Sequence, residues 1–251
     1  MLIEKFGKAR RRLAKEGFVA TARWAFTSVF YYPLTRWLDH RFDRRWGTDT
    51  TSPLSTSKYN IDAELVGHAV SYSASPDRIF VRFLRQQELD YSDFTFIDLG
   101  CGKGRTLLLA SEFSFKKIIG VEIEPAVHAI CMANIATYLK NSKVSRPPIE
   151  ALCTNAGDFD FPAGNIFLYL FNPFDEYIMT QVAHKLRQAI ESSARLIRIV
   201  YFHPNFVSSL LTLPNIKLIS EEIFRDRKSS NNVSRVATYE IAPAAKDRPD
   251  Y

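Results

Sequence analysis

Three glycines, two carboxylates and one Asn-Pro-Phe run carry the chemistry that this sequence can do. Phe94 to Leu99 is a short run rich in aromatic and branched residues, the pattern of a buried strand. It contains Asp98 and leads into Gly100, Gly102 and Gly104, after which Thr106 to Ser111 favours helix. Strand, glycine turn and helix is an arrangement that brings bare backbone close to a ligand, because a Cβ at the turn positions would stand in the way. The spacing discriminates between ligands. A dinucleotide pyrophosphate site is built on G-x-G-x-x-G, but here Arg105 stands where the third glycine of that pattern belongs. A second apolar run, Lys117 to Val121, ends at Glu122, about twenty residues beyond the glycines, where a carboxylate accepts the two hydroxyls of a ribose.

G-x-G-x-G with an acid two residues before it resembles the first motif of the class I S-adenosylmethionine-dependent methyltransferases. The resemblance covers residues 75–205. It implies that Gly100, Cys101, Gly102 and Gly104 line the methionine and ribose side of S-adenosylmethionine, that Asp98 attracts its α-ammonium, and that Glu122 grips its ribose. After the third strand, Asn155 and Ala156 take the place where such enzymes meet the adenine, with Asp158 a competing candidate; turn chemistry explains either acid or amide equally well. After the fourth strand, Asn172-Pro173-Phe174 resembles the N-P-P-F/Y signature of amino-group methyltransferases, without its second proline. The shortened form is closer to the Asn-Asn-Phe of the disruptor-of-telomeric-silencing histone-lysine methyltransferases and related protein-lysine enzymes. The resemblance implies that Asn172, Pro173 and Phe174 receive an amine, with a protein lysine as acceptor. A small-molecule or lipid-linked acceptor, or a non-catalytic docking protein that retains the fold, are the competing readings. His203 follows the fifth strand and could edge the pocket; as a lone histidine it reads as structural and is assigned no general-base role.

The elements that position these residues alternate. Helices are expected over about 76–87, 125–139, 176–190 and 206–213. Strands are expected over 94–99, 117–122, 149–153, 166–170, 196–202, 217–224 and 233–241, the last two forming a hairpin. Alternation of this kind predicts an α/β fold, a Rossmann-like, mainly parallel seven-stranded sheet with helices on both faces. Ligands in such sheets sit at the carboxyl ends of the strands, where the glycine loop falls.

Residues 1–46 read as a basic amphipathic helical extension, with eleven Lys and Arg against four Asp and Glu; the rest of the chain is close to neutral despite the overall charge of +6. Its aromatic stretch suits an interfacial anchor, a partner surface, or packing on its own domain. Residues 47–74 read as a linker and cleft-covering segment, 75–242 as the ligand-binding domain and 243–251 as a flexible tail. A basic face for nucleic acid is not indicated, so no specific nucleic-acid partner is expected. Three cysteines far apart, without C-x-x-C, suit a reducing compartment and argue against a zinc site, and no metal is expected. With no run of some 18 apolar residues, the expected location is cytoplasmic, with residues 1–46 as a candidate peripheral membrane contact.

Overall fold

The computed structural model describes residues 17, 40–52, 77–225 and 233–243. The first N-terminal helix, the Ser75 cap, the 226–232 turn and the tail beyond 243 therefore lie outside the described residues. The elements, in chain order, are α1 (Asp77–Gln86), β1 (Phe94–Leu99), α2 (Arg105–Ala110), β2 (Lys117–Glu122), α3 (Pro125–Asn141), β3 (Ile149–Cys153), β4 (Asn165–Phe171), α4 (Glu176–Ser192), β5 (Ile197–Phe202), β6 (Ile216–Arg225) and β7 (Val233–Ile241). Seven strands form one sheet in the order β3-β2-β1-β4-β5-β7-β6. The first five are parallel; β7 enters antiparallel between β5 and β6.

The strands alternate two cores. Phe96, Phe167, Tyr169 and Phe202 face one side, where Phe80 and Phe83 of α1 pack edge-on to them with ring centroids about 5–6 Å apart. Ile97, Leu99, Leu168, Leu170 and Ile199 face the other side, against Ile178, Val182 and Leu186 of α4. Burial on both faces is what makes β1 and β4 read as near-continuous apolar runs rather than as alternating ones. Asp98 is the charged residue inside β1: its place in the alternation puts a carboxyl on the aromatic side, 3% exposed.

Helix ends are set locally. Glu124 accepts from the Ala126 amide at 3.3 Å and Pro125 occupies the first turn of α3, where a missing N–H costs nothing. Asp175 accepts from the Ile178 amide at 3.2 Å and starts α4.

One expectation is corrected. The helix over 206–213 reduces to a single 3-10 turn, Leu210–Thr212. The stretch is short and lies between Pro204 and Pro214, too little for a helix that nucleates at a cost. Its hydroxyls bond to α4 instead, Ser208 Oγ to Glu176 Oε1 at 2.7 Å and Ser209 Oγ with Thr180 Oγ1 at 2.8 Å. Residues 47–52, expected as the start of a linker, bond to Lys103, Arg105 and Asn134 of the domain, and are folded on the helix before them by the Asp43 carboxylate. That buried group accepts from the hydroxyls of Thr48, Thr50 and Thr51 at 2.8, 2.7 and 2.6 Å, and from the Thr50 and Thr51 amides at 3.0 and 3.1 Å. Residues 40–46 are helical, and Trp46 packs on Tyr138 of α3 at 4.5 Å.

Candidate functional site

The strand order reverses between β1 and β4. From β1 the chain winds outward through β2 and β3, then returns to place β4 on the other side of β1. A crevice opens at the carboxyl ends of strands at such a switch point, because the connecting loops diverge there. The loop after β1 and the loop after β4 form its two lips and touch: a Cβ built on Gly100 would lie 2.9 Å from Pro173 Cβ and 3.6 Å from the Phe174 ring.

The glycine loop takes its shape from left-handed backbone. Gly100, Gly102 and Gly104 have φ of +82°, +54° and +83°, a region that a Cβ makes costly. Four of its amides are satisfied within the protein. Gly100 and Cys101 donate to Val121 O at 2.8 and 3.0 Å, Gly104 donates to Cys101 O at 2.9 Å, and Gly102 donates to Glu122 Oε2 at 3.0 Å. A phosphate cradle needs such N–H groups turned toward the anion. This loop instead offers bare Cα surface with a carboxylate beside it, which suits an uncharged sugar edge better than a pyrophosphate.

Glu122 is half-buried at the end of β2, its Oε1 accepting from the Glu124 amide at 2.9 Å. Burial pushes its carboxyl above the ordinary value; hydrogen bonds from the Glu124, Gly102 and Ile123 amides oppose the rise. Each carboxylate oxygen has a second lone pair for a further donor. Asp98 lies beneath the loop, its Oδ2 accepting from the Thr106 hydroxyl of α2. Burial raises its pKa to about 7, the Thr106 hydrogen bond opposes the shift, and the Glu122 charge adds to it.

The other expected residues fall around this crevice in different ways. Cys101 contributes backbone; its buried thiol lies against Cys131, whose hydrogen bond, with burial, raises the Cys101 pKa well above the ordinary value. Asn155 Oδ1 accepts from the Gly157 amide at 2.9 Å and caps the 3-10 turn Ala156–Asp158, with Ala156 buried and Asp158 exposed. Asn172 ends β4 in left-handed backbone, φ +44°, and its side-chain oxygen is buried with no hydrogen-bond partner. Phe174 is half-buried against the α4 side of the core.

Sequence reasoning missed what holds the loop from below. Lys103, 1% exposed, donates to Ser52 Oγ at 2.6 Å, to Ser52 O at 2.9 Å and to Asp49 Oδ2 at 3.2 Å. Arg105 donates to Thr50 Oγ1 at 3.0 Å, and its guanidinium lies over the Phe42 ring at 5.2 Å. Asn134 of α3 ties the two segments, donating to Asp49 O and Lys103 O, each at 3.0 Å, and accepting from the Asp49 amide at 2.7 Å. The signal in the sequence was two cations inside a turn where a nucleoside has no use for them.

The sheet order, with its antiparallel β7 and a glycine loop at the carboxyl end of β1, is a Rossmann-like fold of the methyltransferase type. No protein-family model matches the chain. Over 81 residues it is 35% identical to a protein-lysine N-methyltransferase of Saccharolobus islandicus, a match that covers 32% of this chain and 48% of that relative; the chain thus spans about half the length of the curated relative it matches. Among solved structures it is similar to an RNA methyltransferase from Salinibacter ruber, in complex with S-adenosyl-L-homocysteine, at 16% identity and a TM-score of 0.45, covering 71% of this chain and all of that one. It is also similar to TrmN from Thermus thermophilus, at 13% identity and a TM-score of 0.44, covering 66% of this chain and 48% of that one. Among the described residues no helix is long and apolar enough to cross a membrane.

Proposed function

We propose that this chain is an S-adenosylmethionine-dependent methyltransferase whose acceptor is an amine, a protein lysine in the reading that its residues favour. When bound, the cofactor supplies a methyl group already activated by its sulfonium, so the protein's task is alignment, a neutral nucleophile and exclusion of water. Glu122 would accept the ribose hydroxyls beside the bare glycine loop. Asp98 would attract the α-ammonium from below. Asn155 and Ala156 would border the adenine.

The observation that carries the amine reading is Asn172. A buried acceptor without a donor costs about 1–3 kcal/mol, and here it stands at the switch point, one loop away from the cofactor lip. An N–H of an incoming amine would satisfy it. Pro173 and Phe174 would wall the channel, and an apolar wall favours the neutral amine over the ammonium by lowering its pKa. The partial match to a protein-lysine N-methyltransferase supports lysine over a small molecule.

The test is tritiated S-adenosylmethionine incubated with the full chain and a lysate, resolved into protein, lipid and small-molecule fractions. Base-stable label on protein lysine is the expected result, lost in Asn172→Ala while S-adenosylhomocysteine still binds. Label confined to lipid or small molecules would replace the lysine acceptor. Absence of both label and cofactor binding would leave only a scaffold.

A further inference from the structure

β4 and β5 leave the sheet side by side in the same unusual way. The parallel register pairs Phe171 with Phe202, so the next residues, Asn172 and His203, stand at neighbouring strand ends. Both are non-glycine residues in left-handed backbone, φ +44° and +52°. Such a conformation costs on the order of 1 kcal/mol for each L-residue and persists where the surroundings enforce it, which is often at a functional edge. For His203 the enforcing contacts are visible. Its amide donates to Arg235 O of β7 at 2.7 Å, and its ring stands edge-on to Phe171 with centroids 5.4 Å apart. The ring is half-buried, yet neither nitrogen has a hydrogen-bond partner among the described residues. A histidine is thus held in left-handed backbone with its ring nitrogens unspent, at the strand end next to the one that carries the orphaned Asn172 oxygen.

We propose that His203 is a further catalytic residue of the amine site, receiving the proton that the acceptor must lose; this rests on the methyl-transfer reading above. The incoming ammonium donates one N–H to Asn172 Oδ1 and passes a proton to a ring nitrogen of His203. The freed lone pair forms the new N–C bond as the S–C bond breaks, the bonding pair stays on sulfur, and sulfonium becomes thioether. The methylated nitrogen carries the remaining charge, and His203 returns its proton to water. Burial holds the His203 pKa below its ordinary value, which favours the neutral ring.

The experiment separates chemistry from backbone. His203→Asn tolerates left-handed φ and retains a hydrogen-bond acceptor, but takes no proton at this pH. In single-turnover methyl transfer with the full chain, tritiated cofactor and the labelled protein fraction, His203→Asn is expected to lose about 100-fold in rate. Its melting temperature and S-adenosylhomocysteine affinity should stay unchanged. A wild-type rate in His203→Asn overturns the proposal, as does a loss confined to His203→Ala, which would mark a structural role. In parallel, n-butylamine serves as a lysine surrogate on the S-adenosylhomocysteine complex, followed by NMR. With five histidines in the chain, the His203 ring signal is assignable by substitution and should move with the Asn172 side-chain amide. Movement of the Asn172 amide alone removes His203 from the site and leaves the amine reading standing. Silence from both signals, together with no label transferred by the wild type, removes that reading and this inference with it.

Discussion

Lys103 Nζ lies 3.2 Å from Asp49 Oδ2, across 54 residues of sequence, and joins the glycine loop to a segment that precedes the domain's first strand. Partial burial pushes the Asp49 carboxyl up, but hydrogen bonds from Ser52 and Lys103 and the Lys103 charge outweigh it and hold the group below its ordinary value. The ion pair itself contributes little, because Asp49 is 53% exposed and solvent screens it. What matters is that an almost fully buried ammonium finds three acceptors on one strap, and that the strap is in turn held by Asp43.

Asp43→Ala should therefore weaken both stability and cofactor binding. It removes the acceptor of the Thr48, Thr50 and Thr51 hydroxyls and of two amides; Thr51 keeps His40 Nδ1 at 2.9 Å, but the Thr50 donors are buried, and orphaned buried donors cost about 1–3 kcal/mol each before relaxation and water repay part of it. A loss of roughly 3 kcal/mol in urea unfolding is expected, with S-adenosylhomocysteine affinity about tenfold weaker in the folded variant. Asp49→Ala should lose less than about 1 kcal/mol. An Asp43 variant that unfolds earlier yet binds with wild-type affinity would mean that the strap stabilises the domain without shaping the loop.

The contrast between the strap and the glycine loop shows what was legible in the sequence. β1, β3 and β7 begin and end where their apolar runs do, because a short run bounded by turn residues needs no distant information. The convergence of Gly100, Glu122 and Asn172 on one sheet edge was legible too, since strand ends in an alternating α/β chain share an edge. The strap was not. Its residues, Thr48 to Ser52, carry turn chemistry by composition, and the partners that fix them, Lys103, Arg105 and Asn134, lie more than 50 residues away. The 206–213 segment failed for the same reason: its hydroxyls are spent on α4. His203 was passed over because a lone histidine has no spacing to read, whereas its positive φ is a tertiary fact.

Glu122 serves two kinds of client, the Gly102 and Glu124 amides and, in the proposed complex, a ribose. Glu122→Ala removes both, and affinity for S-adenosylhomocysteine should fall about 100-fold, the worth of one or two hydrogen bonds to a charged acceptor. Glu122→Gln keeps one carbonyl oxygen and should fall between the two. Titration calorimetry reads both values. Equal affinity in Glu122→Ala and wild type would remove the ribose from this carboxylate.

Two glycine substitutions separate crowding from backbone strain. Gly120 lies in β2, where an added Cβ would come within 2.5 Å of Leu107 Cδ1 and 2.7 Å of Cys101 Sγ. Gly120→Ala should overpack the floor of the glycine loop, costing about 1–3 kcal/mol and weakening cofactor affinity with it. Gly164 has φ +91° with nothing within 4 Å of the would-be Cβ, so Gly164→Ala should cost about 1–2 kcal/mol through backbone alone and leave affinity unchanged. If the two variants shift affinity alike, the loop is not sensitive to what packs beneath it.

In the proposed complex Asp98 would give cofactor binding a pH dependence whose sign follows from its raised pKa. Its folded pKa of about 7 stands above the ordinary carboxylate value of 3.8. The free protein is therefore most favoured, as far as this group is concerned, below about pH 4, and loses that advantage as pH rises toward 7. Cofactor binding runs the other way. A ligand ammonium beside this carboxyl selects the ionised form, so binding expels the proton, and affinity should climb by up to about tenfold per pH unit below 7 and level off above it. Glu122, also raised, contributes with the same sign. Calorimetry at pH 6.5 in two buffers of different ionisation enthalpy should show net proton release by wild type and less in Asp98→Asn, which also binds more weakly. Affinity for S-adenosylhomocysteine that stays flat from pH 6 to 8 would mean that Asp98 is a satisfied partner of Thr106 and meets no ligand charge at all.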